Sequence, residues 1–290
     1  MLRGFTRNIA ASAALLGAIG LSGAAIWLIP GNQAGPCAVV HRTMLLREVP
    51  EASGLAVSRR HPGIIWSHND SGNRTELFAV DAAGTLRGRV RVPITTRDWE
   101  DISAARCPAG NCLYIADIGD NRLRRRNIQI YRVPEPALDA AQTGAPDAFN
   151  ATYADGPHNA EALFIVGDNV FIVTRDRVAG LYRSTLPSSA ERQMTFERIG
   201  ELGLTVVTDA EATPDEAAVV VRTSKLVVIY RTADLVKGGA NPNGLRIPID
   251  GLKEPQGEGV ALDSNGMLYL ASEGQWIGAG RFVSLQCAFK

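Results

Sequence analysis

The chain has 290 residues, of which 46% are hydrophobic, and its 30 basic and 30 acidic side chains give a formal net charge of zero. A neutral chain lacks the basic surface that nucleic-acid binding requires, so we expect no nucleic-acid partner. The roughly 255 residues that follow the apolar N-terminus are enough to bury the core of one large domain.

The chain begins with an apolar segment. Residues 9–29 carry no charge and follow Arg3 and Arg7. This length could span a bilayer, whereas its Ala- and Gly-rich composition also suits a cleaved signal peptide. We therefore expect residues 1–30 to be a signal peptide or an N-terminal membrane anchor, residues 31–36 a linker and residues 37–290 one exported domain, in the periplasm or at the cell surface.

A short motif recurs through the exported part. The motif has four residues. The second is Glu, and the residue before it is usually small. The third is small or acidic, and the fourth is usually apolar. The Glu positions are Glu100, Glu161, Glu211 and Glu258, and Ser53 takes that place in the first copy. The successive steps are 47, 61, 50 and 47 residues. A period of about 40–50 residues is typical of propeller blades.

Two short apolar runs follow each copy of the motif, and a weaker run precedes the next copy. They are rich in Val, Ile and Tyr and end at Gly, Asp, Asn or Pro, which is typical of strands and turns. The runs after the motif are residues 63–66, 77–80, 113–116, 128–131, 170–173, 180–182, 218–221, 227–230, 267–270 and 281–283. The pattern predicts an all-β chain, a β-propeller with five blades of four antiparallel strands, with six blades as the alternative.

The four cysteines suggest two disulfides. Cys107 and Cys112 flank a tight turn, and Cys37 and Cys287 lie at opposite ends of the exported part. If the N-terminal segment supplies the outer strand of the C-terminal blade, the second pair become neighbours and close the ring. Disulfides are typical of exported proteins, and the spacing does not suit a zinc site.

The repeat also predicts a site. The innermost strand of a blade starts at the edge where the second strand ends, so the four Glu side chains should surround the mouth of the central channel. Like charges at one place raise one another's pKa, and a hard cation would compensate them. We expect Ca²⁺ there, held by Glu100, Glu161, Glu211 and Glu258, because Ca²⁺ prefers oxygen ligands. The other expected rim residues are Asn69, Asp70, Trp99, Asp120, Asn121, Arg175 and Arg222.

A structural role for the Glu residues is the alternative. Each carboxylate could accept backbone N–H groups of the neighbouring blade, and Arg97, Arg175 and Arg222 could neutralise the ring without metal. Ser53 breaks the symmetry of the repeat, which favours a binding site because a motif needed only for packing has less reason to vary.

The sequence also contains residues that could take part in catalysis. His68, Asp101 and Asp117 could carry protons at the rim, and His158 is a further histidine near it. The sequence contains no Gly-x-Ser-x-Gly or His-Glu-x-x-His motif, so the common serine-hydrolase and zinc-protease sites are absent. Residues 122–126 (RLRRR) form the one basic run, either a solvated loop surface or an anion-binding patch.

Four segments carry a resemblance to known proteins. Residues 53–56 (SGLA), 68–72 (HNDSG), 98–102 (DWEDI) and 117–121 (DIGDN) resemble a group of exported bacterial propellers of unknown function. Their wider relatives include phytase-like propellers and calcium-dependent lactonases. The resemblance implies a channel calcium ion. For a phytase-like chain it also implies basic residues for phosphate, for which the candidates are Arg97, Arg175, Arg177, Arg222 and Lys225.

The functions that follow from these patterns belong to different classes. The first is a calcium-dependent hydrolase of phosphate or lactone esters, and the alternative is a non-catalytic propeller that binds or organises components of the cell envelope. The partner would be a small-molecule ester or an envelope component. We expect a monomer that meets a membrane only through its N-terminal segment.

Overall fold

The computed structural model describes residues 33–34, 36–44, 48–187, 192–274 and 280–288. The expected signal peptide or anchor, residues 1–30, lies outside these ranges. Within them, no helix combines the length and the apolar character needed to cross a bilayer.

Nearly all regular structure in the described chain is β-strand. The N-terminal strands are β1 (Gln33–Ala34) and β2 (Cys37–Met44). The first four-stranded antiparallel sheet contains β3 (Ala52–Val57), β4 (Ile64–Asn69), β5 (Glu76–Asp81) and β6 (Leu86–Arg91). The second group contains β7 (Trp99–Cys107), β8 (Gly110–Asp117), β9 (Ile128–Pro134) and β10 (Asp147–Tyr153). The third group contains β11 (Ala160–Val166), β12 (Asn169–Thr174), β13 (Gly180–Thr185) and β14 (Gln193–Glu201).

The C-terminal half continues in the same way. The fourth group contains β15 (Val207–Ala212), β16 (Ala218–Thr223), β17 (Leu226–Arg231) and β19 (Gly244–Pro248), with the short elements α1 (Thr232–Leu235) and β18 (Gly239–Ala240) before its last strand. A 3₁₀ turn (Asp250–Leu252) leads to β20 (Gln256–Leu262), β21 (Met267–Glu273) and β22 (Arg281–Cys287). The outer strands β10 and β14 also pair with each other, in parallel.

The N-terminal strand β2 pairs antiparallel with β22, and in this register Cys37 lies opposite Cys287. A disulfide joins these two cysteines, and a second disulfide joins Cys107 to Cys112 across the β7–β8 turn. Strand β2 thus belongs to the same sheet as β20, β21 and β22.

The first strands of the five groups are neighbours in space. Strand β3 contacts β7, β7 contacts β11, β11 contacts β15, β15 contacts β20, and β20 contacts β3 again. Apolar clusters fill the space between successive sheets. For example, Trp66 and Val90 of the first sheet pack with Ile102 and Leu113 of the second. The sequence repeat therefore arranges the sheets around a common centre.

Each of these first strands has a bulge near its start, where the register to the second strand shifts. The bulged positions are Ser53, Glu100, Glu161, Thr208 and Glu258. The fourth repeat thus differs from the sequence-based alignment, because Thr208 occupies the place that was assigned to Glu211. Glu211 lies three residues further along β15, beyond the bulge.

Buried carboxylates connect the first strands to one another. Asp101 Oδ2 accepts a hydrogen bond from Leu163 N at 2.7 Å. Asp209 Oδ2 accepts hydrogen bonds from Leu55 N and Val260 N. Both aspartates are fully buried. They satisfy backbone N–H groups that adjacent sheets leave unpaired at the centre, where no strand-to-strand ladder exists.

Two further contacts complete this network. Glu211 accepts hydrogen bonds from Ser103 Oγ and from Ala104 N of β7. The buried carboxyls of Asp101 and Asp209 interact with each other. Burial, with the neighbouring Asp209 carboxyl second, raises the pKa of Asp101 well above its usual value. The neutral, protonated form of Asp101 is therefore favoured.

We predict that Asp209→Ala lowers the free energy of unfolding by roughly 2–6 kcal/mol, because two buried N–H donors each lose an acceptor at about 1–3 kcal/mol. Asp209→Asn keeps one carbonyl oxygen for both donors and should cost less than half as much. Urea unfolding followed by tryptophan fluorescence measures both variants. Equal losses for Ala and Asn would contradict this role of Asp209.

Candidate acidic site at the channel mouth

Four of the five bulged residues, all except Thr208, line a polar cavity of about 430 Å³. Most of its lining comes from the starts of first strands and the loops beside them. In chain order the lining is Ser53, Asp70, Ser71, Asp98, Glu100, Asn121, Asn159, Glu161, Arg175, Val206, Gln256, Glu258 and Glu273. We call this cavity the acidic mouth, because it contains six carboxyl groups and, among these residues, one basic side chain.

Burial and neighbouring carboxylates raise the pKa values of several carboxyl groups of the acidic mouth. Burial, followed by repulsion from Asp70 and Asp98, raises the pKa of Glu100 to about 9. Burial also raises the pKa of Asp70 to about 6 and that of Glu273 to about 7, with nearby carboxylates adding to both shifts. The pKa of Glu258 is raised as well, chiefly by burial. The mouth therefore favours bound protons or another cation.

The only basic residue of the lining, Arg175, is engaged at one side. Its Nη1 forms an ion pair with Glu161 Oε2. Gln256 Nε2 donates to Glu258 Oε1 at 2.8 Å. Glu100 has no comparable cationic partner among the described residues. The centre of uncompensated charge is thus Glu100 with its carboxylate neighbours.

Gly119 makes the close approach of two of these groups feasible. A Cβ at this position would collide with Glu100 Oε1 and lie 2.5 Å from Asp98 Oδ2. Gly119 N also donates to the Asp98 carbonyl at 3.2 Å. The glycine of the DIGDN motif therefore supports the wall of the acidic mouth with its backbone.

The donor set of the mouth is suited to a hard cation, since it consists of carboxylate, amide and hydroxyl oxygens without sulfur or imidazole. The expected ring of four glutamates does not form, because Glu211 is bound to β7. Within the described residues, no three His, Cys, Asp or Glu side chains are grouped closely enough to hold one ion.

Seven residues that the sequence pointed to line the acidic mouth. Six of them were predicted for the metal site or the rim, and Ser53 is the residue that replaces Glu in the first copy of the repeat. The seven are Ser53, Asp70, Glu100, Asn121, Glu161, Arg175 and Glu258.

His68 is not at a rim. It is fully buried and stacked on Trp99 with ring centroids 4.3 Å apart. Its Nε2 accepts from Gly54 N, and burial lowers its pKa to about 4. A buried neutral imidazole with both nitrogens engaged packs the first and second sheets together and does not carry protons to a substrate.

Other predicted residues also have structural partners. Asn69 bonds to Glu48 O and Glu51 N. Arg222 is completely buried and forms an ion pair with Glu254 at 2.5 Å. A guanidinium in this position is not available to a ligand at the mouth.

Asp117 and Asp120 shape the loop after β8. Asp117 Oδ1 accepts from Asp98 N and from Arg125 Nη1. Asp120 Oδ2 accepts from Arg125 N at 2.7 Å. Asp101 belongs to the central network described above. None of the three carboxyls lines the acidic mouth.

Several mouth residues were missed in the sequence. Asp98 belongs to the DWEDI segment and Glu273 ends β21, but only the folded structure shows that both line the same cavity. Asn159, which directly precedes β11, donates from its side chain to Asn121 Oδ1 and accepts from Asp120 N. Its position just before a repeat motif was the available signal.

No protein family and no curated protein matches the sequence. Among solved structures, the chain is similar to the major allergen Mala s 1 of Malassezia sympodialis, with TM-score 0.55 and 10% identity over 84% of this chain and 95% of that one. The PQQ-bound aldose sugar dehydrogenase of Streptomyces coelicolor gives TM-score 0.49 and 12% identity, over 87% and 98% of the two chains. The WD40 β-propeller domain of Doa1 gives TM-score 0.38 and 12% identity, over 79% and 62%.

At these identities the likeness is one of fold. Together with the repeated sheets around a common centre, it establishes an all-β chain with a β-propeller fold.

We predict that, in EDTA, the free energy of unfolding falls as the pH rises from 6.5 to 9. The folded-state pKa of Glu100 is about 9 and that of Glu211 about 8, both raised by burial, so the folded form holds protons that the unfolded chain has released. Each such group contributes a decline of up to about 1.4 kcal/mol per pH unit. Urea unfolding at constant ionic strength measures the slope.

In the same experiment, Glu100→Gln should flatten the slope, because the amide has no proton to lose. Glu197→Gln removes an exposed carboxylate on β14 and should leave the slope as it is. A slope in Glu100→Gln equal to that of the unmodified chain would contradict the shifted pKa.

Proposed function

We propose that the chain is a five-bladed propeller in which each four-stranded group is one blade. The blade that ends the chain takes its outer strand from β2. The closed series of contacts among β3, β7, β11, β15 and β20 supports five blades, and the Cys37–Cys287 disulfide supports the closure. Two disulfides also favour an oxidising compartment, so we propose that the domain is exported and acts as a monomer outside the cytoplasm.

We further propose that the acidic mouth binds Ca²⁺. The observation that carries this proposal is the cavity of about 430 Å³ lined by six carboxyl groups and one arginine, and the raised pKa of Glu100, caused first by burial and then by nearby carboxylates, agrees with it. Glu100, Glu258, Asp70 and Asp98 would supply carboxylate oxygens, and Asn121 or Asn159 an amide oxygen. A bound ion would draw these groups together, since it would replace their repulsion by attraction.

Ester hydrolysis is a second candidate function. The observation that favours it is a pocket rich in arginine that shares Asp98 and Asn121 with the acidic mouth. A bound Ca²⁺ would supply polarisation of an ester oxygen. The chain's own residues would orient the substrate. The guanidinium groups would bind its anionic part, and Asn121 lies at the boundary of the two cavities. The alternative is a non-catalytic envelope propeller that captures its ligand through the same groups.

We predict that the EDTA-treated full chain binds Ca²⁺, and that binding releases close to one proton per ion near pH 7.5, because Glu100 must ionise to become a ligand. Titration calorimetry in two buffers of different ionisation enthalpy measures affinity and proton release together. Glu100→Gln should weaken binding at least tenfold and abolish most of the proton release.

Two variants complete the calcium test. Glu258→Gln should weaken binding at least tenfold, whereas Glu197→Gln, distant from the mouth, should change it less than twofold. Absence of heat at millimolar Ca²⁺, or equal loss in Glu197→Gln, would refute the calcium site.

For the hydrolase, we expect that aryl phosphates or lactones are hydrolysed only with Ca²⁺ and that Glu258→Gln reduces the rate at least tenfold. A colorimetric assay with and without EDTA measures this. If Ca²⁺ binds but no ester in such a panel turns over, the binding function stands and the hydrolase does not.

A further inference from the structure

A second cavity, of about 300 Å³, lies beside the acidic mouth. It is formed by the loop between β8 and β9 and by the residues just before β7. Four arginines line it: Arg97, Arg122, Arg124 and Arg125. We call it the arginine pocket.

Three of these guanidinium groups are available. Arg97, Arg122 and Arg124 are exposed, and no ion pair or side-chain hydrogen bond within the described ranges engages their side chains. Basic surface residues commonly take carboxylate partners when acidic groups are near. Asp120 accepts from Arg125 N and Asp98 accepts from Ser71 Oγ, and within the described ranges neither carboxylate forms an ion pair with these three arginines.

The fourth arginine is built into the fold. Arg125 is buried, and its Nη1 donates to Asp117 Oδ1 and to Gly119 O, both at 2.9 Å. Its Nη2 is buried without a hydrogen-bond partner in the described chain. An unpaired buried donor on a charged group is costly. The Arg125 guanidinium is also a positive charge fixed in the pocket wall, which an anion in the pocket would stabilise.

The chemistry of the ligand follows from the donors. A guanidinium presents a planar fork of N–H groups that matches the two oxygens of a carboxylate or phosphate. Three unpaired forks around about 300 Å³ suit one small, doubly charged oxyanion. They do not suit a nucleic-acid backbone, which would need a longer basic surface than this loop provides.

We propose that the arginine pocket is a binding site for a doubly charged oxyanion, either a phosphate group or the paired carboxylates of a small dicarboxylate. This site does not depend on the cation site. Because Asp98 and Asn121 line both cavities, the rest of the bound molecule extends toward the acidic mouth.

Equilibrium dialysis in EDTA tests the arginine pocket without Ca²⁺, with inorganic phosphate and succinate as probes. The unmodified chain should bind at least one of them at millimolar concentration or better. The double variant Arg122→Gln/Arg124→Gln should bind at least tenfold more weakly. Arg126→Gln is the matched control, since Arg126 is an exposed arginine of the same loop that does not line this pocket.

The outcomes separate clearly. Tighter binding of phosphate than succinate identifies a phosphate group as the ligand, and the reverse identifies a dicarboxylate; either supports the site. No binding of either probe overturns the proposal, as does an undiminished affinity in the double variant. Equal weakening in Arg126→Gln would show a general charge effect and also overturns it. Because the measurement excludes Ca²⁺, failure of the calcium site leaves the result unaffected.

Discussion

The structure depends on hydrogen bonds that backbone N–H groups of the inner strands donate to buried carboxylates of neighbouring inner strands. Inner strands of adjacent sheets meet at the centre without a ladder between them, so their N–H groups need acceptors from side chains. Asp101, Asp209 and Glu211 supply these acceptors and connect all five first strands. The cost of burying three carboxyls is reduced because burial raises the pKa of Asp101 and so favours its neutral form.

The acidic mouth is formed by residues of the same inner strands that lie nearer to the start of each strand. Bulges bring Glu100, Glu161 and Glu258 toward the centre, while Ser53 and Thr208 donate their hydroxyls to the Glu100 and Glu258 carbonyls. The hydroxyl positions tie neighbouring strands, and the glutamate positions leave carboxylates facing a cavity. The same position of the repeat therefore joins neighbouring strands where it is Ser or Thr and, in our proposal, binds a cation where it is Glu. Further along the strands, Asp101, Asp209 and Glu211 accept hydrogen bonds from the backbone of neighbouring strands.

The repeat and the composition of the runs were sufficient to predict an all-β propeller, because strand chemistry is local and recurs at a fixed period. The site could be predicted only in part. The motif alignment put Glu211 at the mouth, since a bulge is not visible in a sequence, and the backbone register shows that Thr208 is the equivalent residue. The structural role predicted for the acidic residues occurs at Glu211, which bonds to a neighbouring strand. Glu100 faces the cavity, and its role as a calcium ligand stays a prediction. His68 and Arg222 differ from expectation because burial and tertiary partners, not local sequence, determine their environment.

The most direct test of the central claim is a crystal structure of the chain grown with Ca²⁺, compared with one grown in EDTA. Our account predicts an ion in the acidic mouth, about 2.3–2.6 Å from oxygens of Glu100 and Glu258, with Glu211 still bound to β7. A mouth that contains only water at saturating Ca²⁺, with Glu100 and Glu258 unmoved, would contradict it.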